Sequence, residues 1–234
     1  MTTASRGDVV AIACAEVFRG DGAILASPMA PMPALGAKLA RAVFEPKLLM
    51  TDGVASLLNV HGQVEGQMRY SRVFDVVWGG RRHVMMGASQ IDREGNQNIS
   101  CIGPHDKPKV QLLGVRGAPG NTIHHTTSYY VGKHSKRVFV DAVDMVSGVG
   151  PCRGGLELRA IVTNLCVLDF TGPDQGASLQ SLHPWATLEE VQAATGFPIY
   201  VPPSIAVSRG PTELEQRWLD HLDPERRVRA TVEG

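Results

Sequence analysis

The chain has 234 residues, and Lys plus Arg and Asp plus Glu both number 23, so its formal net charge is zero at pH 7. Nucleic-acid-binding domains concentrate a basic excess, which argues against a polyanionic partner here. A hydrophobic fraction of 43% suits an ordinary globular protein, and no stretch approaches the ~20 uninterrupted apolar residues of a membrane span. The amino terminus, MTTASRGDVVAIACAEVF, lacks the basic, apolar and small-residue regions of a secretory signal. Cys14, Cys101, Cys152 and Cys166 are widely spaced without a C-x-x-C pair, the usage expected of reduced thiols in a cytoplasmic protein.

In chain order, Asp8–Arg19 reads as a helix opened by an acidic residue and closed near Gly20. Ala23–Ala26 is a strand, followed by the proline-stiffened segment Ser27–Pro33. Ala34–Phe44 has helical spacing. Leu48–Met50 is an apolar strand that stops at Thr51-Asp52-Gly53, as buried strands of open α/β sheets do beside a ligand crevice. Ser71–Trp78 is a short helix, and His83–Met86 a strand running into Gly87-Ala-Ser-Gln-Ile-Asp92. Residues 90–98 are dense in short polar side chains around Gly95, the chemistry of a hairpin turn. Val110–Val115 is a strand leading to the glycine loop Gly117-Ala-Pro-Gly-Asn121. Strands follow at Val138–Asp144 and at Leu156–Phe170, the latter broken at Thr163-Asn164. Thr187-Leu-Glu-Glu190 is a capping box whose helix ends near Thr195-Gly196. Thr212-Glu-Leu-Glu215 opens a last helix, and the polar residues from about 224 to 234 read as a fraying tail. Alternating strands and helices predict one α/β domain over 1–234, an open, mostly parallel sheet with helices on both faces.

Local chemistry nominates few sites. The eight histidines form no H-E-x-x-H and no zinc-like cluster with cysteine, so no metal site is expected. A G-x-S-x-G elbow is absent. Gly117–Asn121 fits neither nucleotide motif, yet a turn at a helix amino terminus can present amides to a phosphate or thioester oxygen. It can equally be a plain tight turn. Asp52, at a strand's carboxyl end, can be a general base, a nucleophile or a cap for turn amides.

Several segments together resemble the β subunit of family I CoA-transferases, in the branch of glutaconate CoA-transferase. Gly87–Asn98 matches G-A-x-Q-(I/V)-D-x-x-G-N-x-N. Arg137–Ser147 matches R-x-F-V-x-K-V-D-F-x-T, with alanine at the lysine position. Ile161–Asp169 and Leu182–Phe197 match that branch's closing strands and helix. The resemblance covers most of Asp8–Phe197 and implies a CoA-transferase-like fold paired with an α subunit of the same fold, as an α2β2 heterotetramer acting on an acyl-CoA. It also implies that Gly53, Gln90, Asp92, Asn96, Gly117, Gly120 and Asn121 contact substrate or CoA, with no cofactor beyond the coenzyme A of the substrate itself.

The departure is at the strand end. Transferases of the family carry a glutamate there, followed by Asn or Ser and then Gly, and that carboxylate attacks the acyl-CoA. In this chain Thr51 occupies the glutamate position, Asp52 the next, and Gly53 is retained. A threonine hydroxyl with no adjacent base is a poor nucleophile. Pro119 likewise replaces a glycine of the family's G-x-G-G loop. A retained scaffold without its nucleophile is similar to the ring-opening CoA-thioester hydrolases of bacterial steroid catabolism. Their β subunits share the T-D-G triplet, the Q-I-D-R-x-G-N-x-N turn and H-P-W-A-T-L-E-E-V-Q-A-A-T-G-F-P. That resemblance implies hydrolytic carbon–carbon cleavage of retro-Claisen type. Thr51 and Asp52 would line the cleft, and the decisive carboxylate would come from the α subunit. Two alternatives are a CoA-transferase that uses Asp52 as nucleophile and a non-catalytic structural subunit.

Overall fold

The computed structural model describes residues 4–52, 55–114 and 117–232. They group into two compact units, one formed by Met1–Met86 with Ser208–Gly234 and the other by Gly87–Val207.

In the first unit, helix α1 (Arg6–Glu16) opens on a reciprocal box: the Ser5 hydroxyl accepts from the Asp8 amide at 3.2 Å, and the Asp8 carboxylate accepts from the Ser5 amide at 3.0 Å. Strand β1 (Leu25–Pro28) follows. Helix α2 (Pro31–Val43) begins inside the proline-rich segment expected to be a loop. Proline at a helix's first position lacks only an amide that would be unpaired there, and its fixed φ is already helical. Strand β2 (Leu49–Thr51) leads into a hairpin of β3 (Ser56–Leu58) and β4 (Val64–Gln67), then helix α3 (Tyr70–Gly79) and strand β5 (Arg82–Met86). The ladder runs β5-β1-β2-β3-β4. Parallel pairs β1–β5 and β1–β2 are joined by helical connections, and antiparallel pairs β2–β3 and β3–β4 by short turns. Val10, Ala11, Cys14, Phe18, Leu39 and Met50 fill its core.

The second unit starts with two small hairpins, β6 (Gln90–Ile91) with β7 (Gln97–Asn98), and β8 (Cys101–Ile102) with β9 (Val110–Gln111). Helix α4 (Ala118–His124), strand β10 (Thr126–Val131), β11 (Glu157–Thr163), β12 (Cys166–Asp169), β13 (Ser178–Leu182), α5 (Leu188–Ala193) and β14 (Ala206–Val207) complete it. Pairs β10–β11 and β13–β14 are parallel, β11–β12 and β12–β13 antiparallel. Thr163 makes the expected break: its hydroxyl accepts from the Leu165 and Cys166 amides, both at 3.0 Å. The Thr187–Glu190 box caps α5 as expected.

The open α/β sheet is therefore present, and further local expectations change. Residues 138–144 form no strand; Phe139 alone bridges to Ile91, fully buried and stacked on the His134 ring at 4.0 Å between centroids. The alternating apolar residues there record one anchored ring rather than a ladder. The strand expected over Val110–Val115 is limited to β9, with Val115 outside the described residues.

Residues 224–232 of the expected tail do not fray. After α6 (Glu213–Leu222) it returns to α1, and Arg229 is fully buried. Its guanidinium donates to Asp8 at 2.8 Å, Asp220 at 3.0 Å and Asp223 at 3.3 Å. Burial alone would raise the Asp8 pKa, but hydrogen bonds from Arg229 and Ser5 outweigh it and hold the carboxyl below its ordinary value. A polar tail folds in when its charges find buried partners.

Candidate active site

Thr51 and Asp52 illustrate the two-residue period of a strand. Thr51 points inward and is 4% exposed, its hydroxyl 3.5 Å from the Ala26 carbonyl and 3.4 Å from the Ser27 hydroxyl. Ser27 in turn accepts from Nε of the buried Arg82 at 3.1 Å. Burial lowers the Arg82 pKa to about 10, so the group remains a cation at neutral pH. Asp52 turns outward. Its Oδ1 accepts from the Ala55 and Ser56 amides at 2.9 and 3.1 Å, the local capping for which short acidic side chains are suited. Gly53 lies outside the described residues. This strand end therefore offers two hydroxyls beside a guanidinium, while its carboxylate caps a turn.

The other expected site residues lie in the second unit, where the hairpin of β6 and β7 is a closed polar knot. Gln90 Oε1 accepts from Asn98 at 2.7 Å and from the Asp144 amide at 3.0 Å, and its Nε2 donates to the Asp144 carboxylate at 3.0 Å. Asp92 Oδ1 accepts from the amides of Glu94 and Asn96, and Oδ2 from the Asn96 side chain at 2.9 Å. Burial raises the Asp92 pKa against these hydrogen bonds. Gly95 has φ +78°, the left-handed turn position that glycine adopts without strain.

Sequence reasoning missed the segment that joins this knot to α4. Residues 147–150 pair with Gln97 through Ser147 N at 2.8 Å and Gly148 O at 2.9 Å. The Gly150 amide donates to Asn96 Oδ1 at 3.1 Å, and the Val149 amide to the Thr122 hydroxyl of α4 at 3.1 Å. A Cβ on Gly150 would lie 1.8 Å from the Glu94 carbonyl oxygen, so only glycine fits. The glycine of the S-G-V-G run was the available signal. Gly117 is the N-cap of α4, while Gly120 and Asn121 lie inside the helix and are buried. The expected glycine loop is thus a helical turn, opened by Pro119 as α2 is by Pro31. Gln90, Asp92 and Asn96 are brought together with α4 through 147–150, their polar groups taken up by this chain.

Among the described residues no group of three or more His, Cys, Asp or Glu could hold a metal ion. His124 is exposed and His125 buried, opposite environments for adjacent residues.

Residues 55–194 match the Coenzyme A transferase family. The chain belongs to that family. It is 48% identical to the cholesterol ring-cleaving hydrolase IpdB subunit of Rhodococcus jostii (strain RHA1), over 96% of this chain and 94% of that protein. The crystal structure of Rhodococcus jostii RHA1 IpdAB superposes with a TM-score of 0.91 and 48% identity, covering 98% of each chain. Glutaconate coenzyme A-transferase from Acidaminococcus fermentans has the same fold, with a TM-score of 0.80 at 20% identity over 97% of this chain and 98% of that one. The family resemblance read from residues 87–98 and 182–197 is borne out.

Proposed function

We propose that this chain is the β-type subunit of a heteromeric hydrolase that opens a ring of a steroid-derived CoA thioester. The observation that carries the reading is the strand end at Thr51. The similarity to a ring-cleaving hydrolase subunit spans almost the whole chain, and the position of the transferase carboxylate holds a buried threonine hydrogen-bonded toward Ala26 and Ser27. A covalent CoA-thioester intermediate on this residue is therefore foreclosed by its chemistry. Ring opening asks for something different: water adds to the ring ketone, the adjacent carbon–carbon bond breaks, and its electron pair goes to an enolate that is then protonated. Such a site needs a base for the water and stabilisation of the developing negative charge. Thr51, Ser27 and the Arg82 cation fit the edge of such a pocket, and the base is a carboxylate of the α subunit.

The assembly is an α2β2 heterotetramer with a partner of the same fold, and it works without a resident cofactor, coenzyme A entering as part of the substrate. Four free thiols suit a cytoplasmic location. No helix among the described residues is long and apolar enough to cross a membrane.

Co-production of this chain with its α partner, followed by incubation with a ring-ketone CoA ester in ¹⁸O-labelled water, tests the proposal. Ring-opened product carrying one label in its new carboxylate is expected without any acyl acceptor. An absolute requirement for an acceptor acid would sink it, and hydroxylamine trapping of an acyl group on Asp52 would establish the transferase alternative instead. With Asp52, Gln90, Asp92 and Asn96 all engaged within the chain, a subunit that shapes the pocket around its partner's carboxylate is the same reading in its limiting form.

A further inference from the structure

A cavity of about 410 Å³ opens in the second unit, walled by Arg93, Pro173, Gly176, Pro198, Ile199 and Tyr200. Its volume lies within the range of small-molecule sites, and its walls are mostly apolar, with the Arg93 guanidinium as their cation and the Tyr200 hydroxyl as a neutral polar group. Among the described residues, the hydrogen bond of the Arg93 guanidinium is a long one, 3.4 Å to the Pro173 carbonyl, and no carboxylate pairs with it. A guanidinium held against apolar walls without a counter-ion is poised for an anion.

We propose that this cavity binds a small organic carboxylate carried on an apolar body. The donor inventory selects that class. Phosphate sites surround the anion with backbone amides, whereas here the amides of the 173–177 and 198–200 walls are consumed. Those of Gly176, Ala177, Leu179 and Tyr200 donate to carbonyls of Pro173, Arg93, Tyr200 and Ala177, and that of Ile199 donates to Gln192 Oε1. Pro173 and Pro198 have none. The guanidinium fork remains as the charged donor; its shape would suit phosphate as well, but one cation without an amide cradle balances the single negative charge of a carboxylate, whose two oxygens the fork matches. The exposed Tyr200 ring and the Pro198-Ile199 wall then cover the apolar body. The site is preformed: the Ala177 amide ties the turn to the Arg93 carbonyl at 2.8 Å, and Gln192 ties Phe197 and Ile199 to α5. The proposal is independent of the ring-opening reading.

The test titrates the full chain with 4-phenylbutyrate by calorimetry and ligand-observed NMR, beside 4-phenylbutanol, inorganic phosphate and adenosine 3′,5′-bisphosphate. The carboxylate is expected to saturate one site while the neutral alcohol does not bind. Arg93→Leu should weaken it by about tenfold or more, Arg93→Lys less, and Tyr200→Ala several-fold with an unchanged thermal midpoint. Should Arg93→Leu fail to fold, the alcohol control and Tyr200→Ala decide. Failure of 4-phenylbutyrate to bind, equal binding of the alcohol, or binding indifferent to Arg93→Leu overturns the proposal. Tighter, Arg93-dependent binding of the bisphosphate also overturns it, by assigning the cavity to a phosphate.

Discussion

The strand end at Thr51-Asp52 and the hairpin at residues 90–98 both looked like sites in the sequence, and the structure gives them opposite characters. At the strand end a neutral hydroxyl is buried and a carboxylate faces solvent, capping two amides. In the hairpin a carboxylate and four amide side chains are buried; those of Asp92, Asn96, Gln90 and Asn98 bond in pairs and to residues 144–150, while the Gln97 side chain has no hydrogen-bond partner among the described residues. The polar density of the hairpin is thus spent largely on holding backbone, and the sparse strand end keeps two hydroxyls beside a guanidinium. Richness in polar residues marks where a chain must be held.

That contrast can be broken by substitution. Asn96→Ala strips Asp92 of its side-chain donor and Gly150 of its acceptor, and should destabilise the chain by about 3 kcal/mol in urea unfolding; a loss under about 1 kcal/mol would mean that the knot is not what holds this region. Gly150→Ala must displace the Glu94 carbonyl and should cost about 2 kcal/mol, with chemical-shift changes centred on residues 92–97. Burial lowers the His134 pKa from 6.5 to about 4. The unfolded state therefore takes up a proton that the folded state refuses between those values, so stability should fall as pH drops from 6.5 toward 4. His134→Gln should flatten that part of the urea-midpoint profile. Asp52→Ala loses an exposed cap of the Ala55 and Ser56 amides and should cost about 1 kcal/mol. Thr51→Val should change stability by about 0.5 kcal/mol and reduce turnover of the α/β complex less than tenfold, about 1.4 kcal/mol in the barrier. A loss of several orders of magnitude would make Thr51 a catalytic group.

What was legible in the sequence was local. The Thr187–Glu190 box, the turn at Gly95 and the break at Thr163 each depend on atoms within a few residues, and each is found in place. The inward Thr51 and outward Asp52 follow from the period of a strand. Strand β10 was overlooked because His124-His125-Thr126-Thr127 masks its polar start, although Thr126 and Thr127 are buried. Strands β3 and β4 are too short to carry a pattern. The clasp of residues 147–150 on Asn96 closes contacts 54 residues apart, beyond any local window. The Arg93 cavity is likewise assembled from three separate stretches of chain.

Arg229 has a consequence for how the protein is made. It reaches Asp8 across 221 positions of sequence, and the first unit is interrupted by the whole of the second. On the ribosome, residues 87–207 can emerge and complete their own contacts while α1 still waits for its cation. The inserted unit is therefore free to fold first, and the host unit closes around its amino-terminal helix only after the residues beyond 207 have followed. Until then Asp8 has its Ser5 partner but no counter-ion, which makes that helix the place where a stalled or truncated nascent chain presents itself to a chaperone or a protease.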